Sequence, residues 1–367
     1  MKILHVSDTH LGYSAYRKIA DNGLNQRELD VYESFAGFID YALDIMPDLI
    51  IHSGDLFDSV RPTNRAITFA LIQLLRISRA GIPFVVISGN HETPKLRETG
   101  SVFRIIEHLD HIYPIYKGEY ETLDFKDIKL HCIPQTPHGE QLQEALGHVT
   151  SDPGMRNILI LHVGILGMKE FRMGDFNEHI IPKIALPADM DYIALGHYHG
   201  GVQVTENAFY AGSTERLSFK EEKDTKGFWK ITLDETRDMQ FIPLDTRDMV
   251  TLELDCFTLS PQDTLDHIIT LLNKCHPSGK ILRFFLYGIP RQVYNTLDFE
   301  SLEDITREAI HFELLPEFPE DEHFVHAGGA IGNLMEEWLT FLSRVSLDKD
   351  KEEIGKLALH YLSQVEQ

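Results

Sequence analysis

The chain has 367 residues, 43% of them hydrophobic and 25% charged, with a formal net charge of −23. This is globular composition, enough for a large domain with one or two additions, and its acidity excludes nucleic-acid binding driven by overall charge while leaving room for a local basic groove. Three cysteines, Cys132, Cys256 and Cys275, without a Cys-x-x-Cys spacing indicate neither a disulfide framework nor a zinc knuckle.

Met1 runs directly into an apolar strand with no signal peptide, and no stretch approaches the roughly 18 uninterrupted apolar residues of a membrane span. A soluble cytoplasmic protein is expected. "MKILHVSD" reads as a strand and "LDVYESFAGFIDYALDIM" as an amphipathic helix. "DLIIHSGD" follows as a strand, "NRAITFALIQLLRISRAG" as a helix closed by Gly81, and "IPFVVISGNHE" as a buried strand. This alternation predicts a sheet layered with helices, an α/β (α+β) architecture. "YETLDFKDIKLHCIP" predicts a hairpin turning near Lys126-Asp127, and "NILILHVG" and "DYIALGHYHG" two further apolar strands. "ENAFYAGST", "KGFWKITLDE" and "DMQFIPLD" close the domain, set at residues 1–247.

The pattern then restarts. "MVTLELDC", "PQDTLDHIITLLNKC", "GKILRFFLYG" and "ESLEDITREAIHFELL" predict a small β-α-β-α domain over 248–316. The acidic, proline-bearing residues 317–330 read as a linker, and 331–367 as a pair of amphipathic helices. More than half of the net negative charge falls within 298–367, away from the motifs below.

Five apolar strands end in the same kinds of residue: "SDTH", "HSGD", "SGNHE", "LHVG" and "LGHYHG". Ligands of open α/β sheets gather at the carboxyl ends of strands. Asp8, His10, Asp55, Asn90, His91, His162, His197 and His199 would therefore meet. Each motif alone has an ordinary explanation as a turn or a surface histidine; five in order, each after an apolar strand, favour a site. Carboxylate, imidazole and amide donors without thiolate suit Mn²⁺, Fe or Zn²⁺. Eight groups exceed one ion and suit two, about 3.5–4 Å apart across a shared carboxylate, which generate hydroxide and neutralise a phosphate. Gly54, Gly89 and Gly196 precede ligands where the backbone must turn or approach closely.

Asp-x-His, Gly-Asp, Gly-Asn-His-Glu, His and Gly-His-x-His in this order resemble the signature of the calcineurin-like metallophosphoesterases. "SDTHLGY", "QRELDVYESF", "HSGDLFDSVRPT", "ISGNHE" and "LGHYHGG" resemble, within them, the nuclease subunit of the double-strand-break repair complex (SbcD in bacteria). The resemblance implies a two-sheet sandwich flanked by helices, with a small β/α cap domain that orients DNA. It implies that one ion takes Asp8, His10, Asp55 and His199, and the other Asp55, Asn90, His162 and His197, with Asp55 bridging. His91 would not ligate but would stabilise the transition state or protonate the leaving 3′ oxygen. It further implies Mn²⁺, 3′→5′ exonuclease and single-strand endonuclease activity, and an ABC-type coiled-coil ATPase partner. A homodimer would form through helices at 64–80 (Phe69, Leu71, Ile72, Leu75) and 99–109 (Val102, Ile105, Ile106). The ATPase would dock on the terminal helices at Leu334, Trp338, Leu342, Leu357 and Tyr361.

Loops leaving the ligand-bearing strand ends carry Tyr13, Arg17, Lys18 and Arg27, then Arg61, Asn64 and Arg65, then Lys95 and Arg97. These are expected to touch phosphates, with solvated surface residues as the alternative. His52 is expected to be structural or to orient a ligand. Two other functions compete with a nuclease: a phosphodiesterase or phosphatase of the same fold acting on a small or protein substrate, and a catalytically silent scaffold recruiting an ATPase.

Overall fold

Each short apolar run at the start of the chain becomes a strand, and each helical pattern between runs becomes a helix on the same sheet. The computed structural model describes residues 1–94, 100–168, 178–234 and 237–319. The order is β1 (Lys2–Val6), α1 (Gln26–Ile45), β2 (Leu49–His52), α2 (Asn64–Arg79), β3 (Phe84–Ile87) and β4 (Ile112–Ile115). Asn25 and Thr63 cap the two helices through side-chain oxygens that accept from first-turn amides. Then come β5 (Glu121–Phe125), β6 (Ile128–Ile133), α3 (Gly139–Gly147), β7 (Arg156–His162), β8 (Gly164–Ile165) and β9 (Ile180–Ile181). β10 (Tyr192–Gly196), β11 (Val202–Gln203), β12 (Ala208–Tyr210), β13 (Gly227–Leu233) and β14 (Arg237–Pro243) complete the larger part.

Two six-stranded sheets result, ordered β14-β13-β1-β2-β3-β4 and β11-β12-β10-β7-β6-β5. Alternation along the central strands gives each sheet two apolar faces. Ile3, Ile51, Val85 and Ile87 of the first sheet share one buried cluster with Leu130, Ile158, Ile160 and Tyr192 of the second. Leu4, Ile50, Phe84 and Val86 turn the other way and pack under α1 and α2, against Phe35, Phe38, Ile39, Leu74 and Ile77. The outer face of the second sheet packs Leu159, Leu161 and Leu195 with Leu142 and Ala145 of α3. The layering is helix, sheet, sheet, helix, as expected. The hairpin turns at Lys126-Asp127 between β5 and β6.

A third, all-parallel sheet follows: β15 (Met249–Asp255), α4 (Pro261–Cys275), β16 (Ile281–Tyr287), α5 (Arg291–Asn295), α6 (Phe299–Thr306) and β17 (His311–Glu317), in the order β15-β16-β17. One expectation is corrected here. The run from Glu300 to Leu315 is not a single helix; it divides into α6 and a third strand. "HFELLPE" is short enough to satisfy either period, and the open edge of β16 takes it, from Ile281↔His311 to Tyr287↔Glu317. A second correction concerns 99–109, where the described helical structure is a 3-10 turn at Val102–Ile105.

Residues 1–317 form one compact unit, so the expected boundary at 247/248 lies within it, where the small sheet begins. Arg247 ties that junction: its guanidinium binds both carboxylate oxygens of Asp30 on α1 and the Gly279 carbonyl. No helix among the described residues is long and apolar enough to cross a membrane. The expected terminal helix pair, with Leu334, Trp338, Leu342, Leu357 and Tyr361, falls outside the described residues, as do Lys95 and Arg97.

Candidate metal centre

Parallel pairing of β1 with β2 and of β2 with β3 puts three strand ends side by side, and β7 pairs with β10 in the facing sheet. The loops beyond these ends are knitted by main chain: Asp8 N donates to the Gly54 carbonyl and His10 N to the Asp55 carbonyl, both at 3.0 Å. Carboxylates take amides as well. Asp8 Oδ1 accepts from His197 N and Asp55 Oδ1 from His91 N, both at 3.0 Å. Four site residues pay in backbone conformation, with φ at Asp8 50°, His10 45°, Asp55 55° and His197 99°. Such non-glycine outliers cost about 1–3 kcal/mol each and persist where surrounding structure imposes them. Gly54 has φ 103°, and an added Cβ there would overlap His162; one at Gly89 would overlap the Asp55 carboxylate.

The donors converge. His10 Nε2 and His199 Nε2 face each other at 3.3 Å, and Asp8 offers an oxygen to the same group. Asn90 Oδ1 lies 2.9 Å from His162 Nε2 and 3.1 Å from His197 Nδ1. Asp55 Oδ2 stands between the two sets, 3.7 Å from His10 Nε2 and 3.3 Å from His162 Nε2. The seven expected ligands thus come together, with Asp55 between the two sets and an Asp8 oxygen near His10 and His199 as well as near Asp55 and His162.

The far nitrogen of each histidine is held. His10 Nδ1 meets Asp58 Oδ1 at 3.1 Å, and His199 Nδ1 meets Glu221 Oε1 at 3.0 Å. His197 Nε2 meets Glu178 Oε1 at 2.7 Å, and His162 Nδ1 meets the Ser53 carbonyl at 2.9 Å. Carboxylates and carbonyls only accept, so each far nitrogen carries a proton, and the near nitrogen is the one that would meet an ion. This is how metal-ligating histidines are fixed in tautomer and orientation. Sequence reasoning missed Glu178, Glu221 and the carbonyl of Ser53. Glu178 and Glu221 look like any solvated carboxylate, and the Ser53 carbonyl is main chain within the "HSGD" motif, so only the folded geometry reveals all three.

The centre attracts positive charge. Burial alone would raise the Asp55 carboxyl, yet His162 and then His10 hold it well below the usual carboxylate range. Burial would lower His162; Asp55 reverses this and pushes it up to about 9. Glu221 likewise outweighs burial and raises His199. Glu92, fully buried between the Leu56 and Gly89 amides, is raised well above its usual range by burial and by Asp55. A hard, thiolate-free set of two carboxylates, four imidazoles and an amide oxygen fits two divalent ions.

His91 differs from the other seven. Its side chain is 41% exposed, against 1% for His10 and His162, and its Nδ1 meets the Asp58 carbonyl at 3.1 Å. Its ring stands edge-on to His10 at 4.6 Å, and it brings a donor near those of His10 and Asp55. His52 is fully buried and bonds Thr9 Oγ1 at 3.1 Å, between Asp8 and His10. It therefore orders the β1 end and touches no ligand through that bond.

The phosphate candidates divide. Arg17, Arg61, Asn64 and Arg65 are exposed, with Arg65 paired to Glu28 at 3.2 Å. Tyr13 donates to the Leu217 carbonyl and Lys18 to the Arg307 carbonyl. Arg27 is corrected: it is fully buried, bonded to Asp30 and the Arg216 carbonyl with Glu215 at 3.6 Å, and presents no surface. Among the expected dimer residues, Ile72 and Ile105 are exposed and Phe69, Leu71 and Leu75 half-buried. Val102 and Ile106 are corrected, being buried in the core under α1 and α2.

Residues 1–201 match the family model of the calcineurin-like phosphoesterases. The chain belongs to that family. This phosphoesterase is 34% identical over 268 residues to the DNA double-strand break repair protein Mre11 of Sulfurisphaera tokodaii, covering 69% of this chain and 65% of that protein. It is 32% identical to the Mre11 of Methanococcus maripaludis, covering 62% and 60%. Against the Mre11 of Saccharolobus solfataricus it is 30% identical, covering 86% and 79%. The phosphoesterase therefore spans just under two thirds of the length of the first two relatives.

Proposed function

We propose that the chain is a Mn²⁺-dependent DNA nuclease of double-strand-break repair, acting as a 3′→5′ exonuclease on duplex ends and an endonuclease on single strands. The observation that carries this is the convergence of Asp8, His10, Asp55, His162 and His199 at the strand ends, with Asp55 Oδ2 between His10 and His162; similarity to the Mre11 proteins supports DNA as the substrate.

Asp8, His10, Asp55 and His199 would hold one ion, and Asp55, Asn90, His162 and His197 the other. Bound there, two divalent ions supply Lewis acidity at phosphorus and an activated water. The chain does the rest. Asp58, Ser53, Glu178 and Glu221 fix four imidazoles so that little reorganisation is needed at the moment of reaction. The His91 amide is tied to Asp55 and its Nδ1 to the Asp58 carbonyl, which leaves Nε2 to meet the substrate. We assign His91 to proton delivery at the leaving 3′ oxygen, given from Nε2–H by its imidazolium form, which is left as the Nδ1–H tautomer. Exposed Arg17, Arg61 and Arg65 would position the phosphate backbone.

An exposed apolar groove between α1 and α2, lined by Leu29, Tyr32, Ala36, Phe69 and Ile72, supports self-association through α2. Docking of an ABC-type ATPase on 331–367 and work in the cytoplasm complete the reading.

The test is incubation with end-labelled duplex and single-stranded DNA in Mn²⁺ and in Mg²⁺, beside an aryl phosphodiester. DNA degradation in Mn²⁺ that is lost in His91→Ala supports the nuclease. Cleavage of the small diester with DNA untouched moves the substrate to the rival phosphodiesterase.

A further inference from the structure

The short 3-10 turn at Phe219–Glu221 stands between the metal centre and the small sheet. Two consecutive carboxylates leave it in different directions. Glu221 accepts from His199 Nδ1, from Leu217 N at 3.1 Å and from Lys226 Nζ at 2.7 Å. Lys226 is itself buried and also donates to the His199 carbonyl at 2.9 Å. Glu222 turns to the small sheet, where it accepts from the Thr251 amide at 3.0 Å and from the Thr251 hydroxyl. β15 is the edge strand, so Glu222 caps an amide the sheet leaves unpaired. Arg283 of β16 reinforces the contact, with its guanidinium 4.4 Å from the Phe219 ring centre and its Nε 2.8 Å from Thr251 Oγ1.

We infer that Glu221 and Glu222 are a pair of positioning residues that couple the placement of the small sheet to the orientation of His199. The inference rests on the reading of the site as a two-ion centre. The turn is closed by backbone bonds from Glu221 N to Ser218 O and from Asp224 N to Glu221 O, so it moves as a piece. A functional constellation tolerates only about 0.5 Å of misplacement. A shift of Thr251 by more than that must either break the Glu222 bonds or carry Glu221, and with it the imidazole of His199. Coupling of this kind is reciprocal: filling the ion site steadies the sheet edge, and steadying the edge favours the ion.

Calorimetric titration of the metal-free full chain with Mn²⁺ tests this, with thermal melts of each variant in chelator as the measure of folding. The wild type should take two ions. Glu221→Ala should weaken one of them about 10- to 100-fold and leave the other. Glu222→Ala, which touches no ligand, should weaken the same ion at least about fivefold. Glu222→Gln, which keeps an acceptor for Thr251, should restore most of that loss. His311→Ala removes a different contact between the small sheet and the larger part, the stack on Tyr16 at 4.1 Å, and should leave both affinities unchanged. In hydrogen exchange, Mn²⁺ should slow the Thr251 amide in the wild type and not in Glu221→Ala. If Glu222→Ala lowers thermal stability but binds both ions as the wild type does, the coupling is overturned and Glu222 is structural only. If the wild type itself fails to take two ions, the reading of the centre falls first.

Discussion

His10 Nε2 and His199 Nε2 stand 3.3 Å apart while their Nδ1 atoms are held by Asp58 and Glu221. Two ring nitrogens that close are suited to sharing one positive charge, whether a proton or a metal ion. The fold holds both rings in place from behind, so their convergence is built in before any cation arrives.

Asp55 Oδ2 lies between His10 and His162 and is the proposed bridge, so Asp55→Asn should cost both ions, whereas His199→Ala should cost one. Metal content by mass spectrometry should fall from about two per chain to near zero in Asp55→Asn. For His199→Ala it should fall to about one.

His91→Ala should keep both ions and lose turnover by about 10²–10⁴-fold, the usual contribution of a general acid. The same metal measurement separates the roles: loss of an ion in this variant would make His91 a ligand.

Gly196 has no room for a side chain. An added Cβ would overlap the Ser53 carbonyl and stand 2.9 Å from His162 Nδ1, the pair that fixes that imidazole. Gly196→Ala should cost about 1–3 kcal/mol in urea unfolding and also weaken the ion that His162 serves.

Arg27 is a structural cation. Arg27→Met would leave Asp30 and Glu215 buried with one fewer guanidinium, at a cost of about 3–5 kcal/mol read by urea unfolding. DNA affinity of the folded fraction should be unchanged, unlike that of Arg61→Ala.

His5 gives a pH dependence. It is fully buried between Tyr192 and Ser53, and burial, aided by His52, lowers it from 6.5 to about 3. The folded state keeps it neutral while the unfolded chain protonates it below pH 6.5. Its contribution is therefore complete above pH 6.5 and is lost as pH falls toward 3, with a slope of about 1.4 kcal/mol per pH unit. In chelator, the stability of His5→Asn should fall less steeply between pH 6 and pH 4 than that of the wild type.

The fold was legible because the strands are short and apolar and the helices between them keep a clean 3.6 period. The convergence of the seven expected ligands was legible for a related reason: chemistry sits where strands end, and each motif follows an apolar run. The remainder depends on tertiary placement. "HFELLPE" carries no signal that separates strand from helix until β16 offers an edge. Arg27 reads as a surface cation beside Glu28, and only the approach of Glu215 and Arg216 from far along the chain shows it to be buried. Val102 and Ile106 keep a helical spacing, yet both turn inward. Glu178 and Glu221 act through histidines 19 and 22 residues away, a relation no local pattern encodes.

The most direct test of the two-ion centre is anomalous diffraction from crystals grown with Mn²⁺. Two peaks about 3.5–4 Å apart, with the Asp55 carboxylate between them, are predicted. One peak, or peaks away from Asp55, would contradict the account.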